Sequence, residues 1–147
     1  MIDKFVSVVI IWLISHMIGQ YFRRKRFQQD YVDYLKQHEG TEFFCYTNRR
    51  NSRSFVEEHI LPALAPNIRV IYLEGREPIS QYNKRYISRA LYSIRQKGFP
   101  NVMKIKDGRV VDRSLHNELY NVINQKKNPN DFLEALHEKL EKLRTLA

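Results

Sequence analysis

Gly98-Phe99-Pro100-Asn101-Val102-Met103-Lys104-Ile105-Lys106-Asp107-Gly108-Arg109-Val110-Val111 is the stretch whose reading decides the fold. Val102 to Lys106 is an extended run rich in strand formers. Asp107-Gly108 is the strongest short-range signal for a two-residue hairpin, because a type I′ turn needs positive φ at both central residues. Arg109 to Asp112 then reads as the returning strand. Pro100 has no N–H to give to a ladder, so it belongs at the mouth of the first strand, where no bond is lost. An X–Pro bond inverts at far lower cost than any other, which makes Phe99–Pro100 a candidate cis bond.

Upstream, Ser80 to Gln96 carries Tyr82, Tyr86, Ile87, Ala90, Leu91 and Ile94 as an apolar stripe opposite Lys84, Arg85, Arg89 and Arg95. That pattern predicts one long helix capped by Ser80. Glu74 to Pro78 reads as a loop. Asn67 to Leu73 is almost continuously apolar, as in a strand covered on both faces. Phe55 to Leu64 predicts a helix with Ser54 and Glu57 as its capping box, or Ser52 or Asn51 as its cap instead, and Pro62 as a kink. Thr47 to Ser54 is a polar turn and Thr41 to Tyr46 a first strand. Downstream, Ser114 is expected to cap a short helix with Leu115, Leu119, Val122 and Ile123 inward. Lys126 to Asn130 reads as a linker. Asp131 opens a last helix in which Leu136, Leu140, Leu143 and Ala147 recur at helical spacing, a docked amphipathic helix rather than a coiled coil. The order is strand, helix, strand, helix, strand, strand, helix. If the first two strands share a sheet, this α/β order runs them parallel through a right-handed crossover, with the hairpin as an antiparallel edge and helices on both faces.

Gly-Phe-Pro before a strand, followed by Lys-Asp-Gly and a second strand, resembles the second half of the thioredoxin superfamily. The resemblance covers about Thr41 to Gln125 and rests on order and spacing as well as residue type. It implies a thioredoxin-like β-α-β-α-β-β-α fold over residues 41–127, a cis Phe99–Pro100 bond, and a groove beside that proline which in relatives holds extended polypeptide. On this chain the groove would be lined by the turn from Asn48 to Ser52, Phe99 and Pro100. The family's redox pair would fall near Arg49 and Ser52, and neither is cysteine. A dithiol cycle needs an attacking thiolate and a resolving thiol, and Cys45 is the chain's single cysteine.

Phe5 to Phe22 is free of Asp, Glu, Lys and Arg, with Trp12 central and Tyr21-Phe22 at its end; Arg23-Arg24-Lys25-Arg26 follows at once. A cleaved signal peptide expects a basic start, whereas this run is preceded by Asp3-Lys4. A soluble amphipathic helix expects a polar face, which Val8 to Ile14 lacks. A membrane anchor fits both features. The positive-inside rule then puts the amino terminus outside and the globular part in the cytoplasm, a single-pass arrangement. His16 and Gln20 are mildly polar places within the run. Phe27 to His38 continues the helix, with Gly40 in the stop position. The expected organisation is an anchor and juxtamembrane helix over 1–40, the domain over 41–127 and a C-terminal helix over 128–147.

Net charge is +9. Residues 41–127 hold sixteen Lys/Arg against eight Asp/Glu, so the domain is basic apart from any membrane flank. Such a balance suits acidic partners. Arg49, Arg50 and Arg53 stand in one turn ahead of a helix and suggest an anion site. The histidines lack ligand spacing, so no metal is expected, and no glycine-rich phosphate loop or cofactor motif occurs. Three functions follow as expectations. The first is a redox-inactive, membrane-anchored protein-binding or assembly module using Asn48, Arg49, Arg50, Ser52, Arg53, Phe99 and Pro100. The second is an anion-binding module for lipid head groups, nucleotide or nucleic acid on the Arg-rich turn. The third is a one-cysteine thiol oxidoreductase using Cys45.

Overall fold

The computed structural model describes residues 2–146. Ala147, the last of the expected repeat positions, lies outside them. The chain divides after Gln37 into two compact units.

The first unit is one helix, α1 (Ile2–Gln37), of 36 residues. At 1.5 Å per residue it is ~54 Å long, well over the ~30 Å of a bilayer's hydrocarbon core. It is long and apolar enough to cross a membrane. Phe5, Ile11, Trp12, Tyr21 and Phe22 are all exposed along it. Its polar places satisfy one another: the His16 ring stacks on Trp12 at 5.6 Å and shares a 2.7 Å hydrogen bond with Gln20. The helix ends before Gly40, whose φ of 81° gives the stop that a glycine permits.

The second unit is a five-stranded mixed sheet with helices on it. Its elements are β1 (Glu42–Thr47), α2 (Arg50–Phe55), β2 (Ile68–Glu74), β3 (Glu77–Ile79), α3 (Lys84–Tyr92), β4 (Asn101–Lys106), β5 (Arg109–Ser114), α4 (His116–Asn124) and α5 (Pro129–Thr145). Strand order is β3-β2-β1-β4-β5. As expected, β1 and β2 are parallel and the β4–β5 hairpin is antiparallel. Asp107 and Gly108 have φ of 53° and 67°, as a type I′ turn requires. The Glu39 carboxylate accepts both of their N–H groups, at 2.7 and 3.1 Å.

Strand periodicity sends alternate residues to opposite faces. Phe44, Tyr46, Ile68, Val102 and Val111 meet Val56, Ile60, Leu119 and the inner side of α5 on one face. Phe132, Leu136, Leu140 and Leu143 of α5 are at most 1 % exposed. Arg144 fixes the end of that helix by a two-pronged contact, both bonds 2.7 Å, to the buried carboxylate of Glu42; Lys104 stands 3.4 Å from the same group. These cations hold the Glu42 pKa below the ordinary carboxylate value, the Arg144 hydrogen bonds contributing most. The other face carries Phe43, Cys45, Ile71, Met103 and Asp112. There Tyr82 sets its ring edge-on to Phe43 at 5.3 Å, and α3 stands beside β3.

Four expectations are corrected. The helix after β1 starts at Arg50, not Phe55, because the Arg49 carbonyl accepts the N–H groups of Ser52 and Arg53; Ser54 makes no cap. The helix widens to a π turn over Val56–Ile60 and tightens to a 3₁₀ turn over Leu61–Ala63, where Pro62 can give no N–H to a regular ladder. Residues 74–78 are not simply a loop. Gly75 (φ 64°) turns the chain so that β3 pairs back on β2, and Pro78 is tolerated there on an edge strand. The helix expected over Ser80–Gln96 covers only Lys84–Tyr92. Asn83 caps it by accepting the Arg85 N–H at 3.0 Å, while the Ser93 hydroxyl donates to the Ala90 carbonyl at 2.7 Å at its end. Finally, α5 opens at Pro129 after an Asn128 cap, so most of the expected linker is shorter and Asp131 lies within the first turn.

Candidate functional site

The Phe99–Pro100 bond is cis, as the sequence suggested. Its loop is held almost wholly by groups distant in the chain. Asp112 Oδ1 accepts the Arg95 N–H at 2.8 Å and Oδ2 the Gln96 N–H at 2.9 Å. Asn101, with none of its surface exposed, donates to the Gln96 carbonyl at 3.0 Å. Gln96 returns the contact by accepting the Ser114 N–H at 3.1 Å. The Ser114 hydroxyl donates to the Gly98 carbonyl at 3.2 Å, and the Leu115 N–H to the Pro100 carbonyl at 2.7 Å. His116 Nδ1 lies 3.0 Å from the Phe99 carbonyl. A side chain at Gly98, whose φ is 119°, would press within 3.0 Å of both His116 Cβ and Ser114 Oγ, so glycine is required there.

Beside this loop opens a groove of ≈ 520 Å³, within the span usual for ligand sites, about 300–1,000 Å³. Leu73, Leu91, Tyr92, Ile94 and Phe99 give it an apolar lining, and Arg76 and Lys97 add positive charge. Tyr92 is 84 % exposed. Of these, Leu91 and Ile94 belong to the stripe expected to pack inside the domain. Because α3 stops at Tyr92, its last residues and Ile94 leave the core face and line the groove instead.

Of the expected site residues, Phe99 lines the groove and Pro100 is buried behind it. The β1–β4 register pairs Cys45 with Asn101, so its continuation puts Pro100 across from Tyr46 and Phe99 across from Thr47. The turn after β1 therefore lies at the same end of the sheet, although Asn48, Arg49, Arg50, Ser52 and Arg53 do not line the groove. The Asn48 N–H donates to the Leu73 carbonyl at 3.2 Å. Ser52 is buried with its hydroxyl on the Arg49 carbonyl, 3.1 Å away. Arg53 pairs with Glu57 at 2.9 Å and sits 5.0 Å over the Tyr72 ring. Glu57 also accepts the Tyr46 hydroxyl at 3.2 Å. Burial, and then Glu57, push the Tyr46 pKa up to about 12. Arg49 and Arg50 remain exposed.

Cys45 is fully buried between Ile71 and Asn101. Burial, helped by the charge of Asp112, raises its thiol pKa well above the usual value. Both effects disfavour the thiolate that nucleophilic chemistry needs. Among the described residues no group of His, Cys, Asp and Glu could hold a metal ion.

No protein-family model, curated protein or solved structure matches the chain. Fold and site define a mixed α/β domain with a five-stranded sheet, in a chain whose first helix can span a membrane. Asp112, the latch of the groove loop, had no signal in the sequence beyond a carboxylate in a strand.

Proposed function

We propose that this chain is a membrane-anchored, thioredoxin-like module that binds extended polypeptide in the groove beside Phe99 and works without redox chemistry. The observation that carries this reading is an open apolar groove next to a cis-proline whose loop is fixed in advance by Asp112, Asn101 and Ser114. A site ordered before its ligand arrives loses less entropy on binding. The order β2-β1-β4-β5, with β3 as an added edge, supports the thioredoxin-like assignment. The fully buried Cys45 supports a non-redox role. The basic run Arg23 to Arg26 supports a cytoplasmic domain, so protease added outside sealed cells should leave it whole.

Full-length chain in neutral-lipid nanodiscs is to be titrated with fluorescent nonapeptides of alternating apolar and acidic residues. Apolar burial dominates in the groove and Arg76 and Lys97 add a screened attraction for the acidic residues, so affinity should fall only modestly as salt rises. Leu91→Asp and Phe99→Ala should each weaken binding at least tenfold, and Arg49→Ala with Arg50→Ala should leave it unchanged. Binding that ignores position 99, or that follows Arg49 and Arg50, would overturn the assignment.

A further inference from the structure

A second cavity, of ≈ 260 Å³, lies along the free edge of β5. Arg95, Lys106, Arg109 and Arg113 line it, against one carboxylate, Asp112. That carboxylate is already committed, each oxygen to a main-chain N–H. Among the described residues, the guanidinium groups of Arg95, Arg109 and Arg113 have no acidic or carbonyl partner, and Arg113 Nε is buried without any hydrogen bond. Lys106 donates to the carbonyls of Arg144 and Leu146, which are neutral, and among the described residues no carboxylate pairs with it.

The strand adds donors of its own. Lys106 and Arg109 flank the two-residue turn and so exchange hydrogen bonds with each other. By antiparallel alternation Arg109, Val111 and Arg113 turn their main chain to β4, and Val110, Asp112 and Ser114 turn theirs outward. The outward N–H of Ser114 is taken by Gln96. Those of Val110 and Asp112 face the cavity side of the strand, beside the unpaired arginines.

We infer that this cleft is a binding site for a phosphate group. Three unpaired guanidinium forks, an ammonium and two main-chain donors exceed what one carboxylate can accept, whereas a phosphate presents several charged oxygens to several forks at once. The volume lies below the span of drug-sized ligand sites, about 300–1,000 Å³, and suits one or two phosphate groups rather than a whole nucleotide. A lipid head group and a soluble phosphate compound share this chemistry. The site is separate from the Phe99 groove and from the Arg49–Arg53 turn.

The test uses full-length chain in phosphatidylcholine nanodiscs and reads amide hydrogen exchange across residues 107–114. One arm adds pyrophosphate to the solution; the other builds phosphatidic acid into the disc. Slowed exchange at Val110 and Asp112 is expected in at least one arm, and the arm that responds names the source. The effect should shrink as salt rises. Arg109→Gln with Arg113→Gln should raise the ligand concentration for half-protection at least tenfold, while Arg49→Gln with Arg50→Gln changes nothing. Should the paired β5 substitutions lower the melting temperature, Arg95→Gln, outside the sheet, gives the same reading. Protection in neither arm, or protection that survives these substitutions, would overturn the site.

Discussion

The turn after β1 and the loop before β4 reach the same end of the sheet, yet they are built in opposite ways. In the turn, Arg53 finds Glu57 one helical turn away and Ser52 finds the Arg49 carbonyl, while Arg49 and Arg50 stay exposed to solvent. In the loop, Arg95 to Pro100 is held by Asp112, Ser114 and Leu115, all brought from the far strand of the hairpin or just beyond. Apart from Gln96, whose side chain accepts the Ser114 N–H, these long-range contacts hold the main chain of the loop rather than its side chains. Leu91, Ile94 and Phe99 are thereby left to line a groove. A conspicuous charge motif is thus a poor guide to a free site, and a loop tied from afar is a better one.

Three substitutions sharpen the contrast, in falling order of effect. Asp112→Ala removes a buried acceptor shared by two main-chain donors, and should cost about 2–3 kcal/mol in denaturant unfolding. Peptide binding at the groove should fall with it, while hydrogen exchange over 48–53 stays as before. Equal loosening of both segments would mean that they form one unit.

Arg144→Ala breaks another long-range contact and leaves Glu42 buried with only Lys104 near it. Buried pairs cost about 3–5 kcal/mol when one partner goes. Arg144 is 38 % exposed and solvent screens it, so about 1–2 kcal/mol is expected. Glu42 has its pKa lowered in the folded state, so its contribution is present above the ordinary carboxylate value of ~4.3 and is lost as pH falls through the lowered one. The native chain should therefore lose stability on that acid limb more steeply than the variant. Parallel pH profiles would remove Arg144 as the cause.

The local contact gives the smallest change. Glu57→Gln should leave unfolding nearly as it was. It should bring the Tyr46 pKa down from about 12, because burial is the largest cause that raises it and the Glu57 carboxylate is the next. The difference in absorbance titration between Glu57→Gln chains with and without Tyr46→Phe isolates that one tyrosine. An unmoved Tyr46 would show that burial does all the work.

What could be read from the sequence follows the same division. Asp107-Gly108 announces its turn because the requirement for positive φ is local, and Phe99-Pro100 announces a special bond for the same reason. The apolar spacing of α3 runs on to Ile94, so nothing local says that Ser93 ends the helix or that Asp112 captures the next N–H groups. The groove walls Leu91 and Ile94 are therefore legible as apolar and not as a site. Pro78 hid β3, since a proline argues against a strand until the strand is known to be an edge. The arginines of β5 gave no motif at all: Arg95 joins Arg109 and Arg113 only once the loop is latched across the hairpin.

Site-specific photo-crosslinking compares the two regions most directly. A photoreactive amino acid is placed at Tyr92 in one full-length chain and at Arg50 in another, and membranes from cells making each are irradiated. The expected result is a covalent adduct with a second polypeptide from position 92, suppressed by Phe99→Ala, and none from position 50. An adduct from position 50 with none from position 92 would contradict the groove as the binding site.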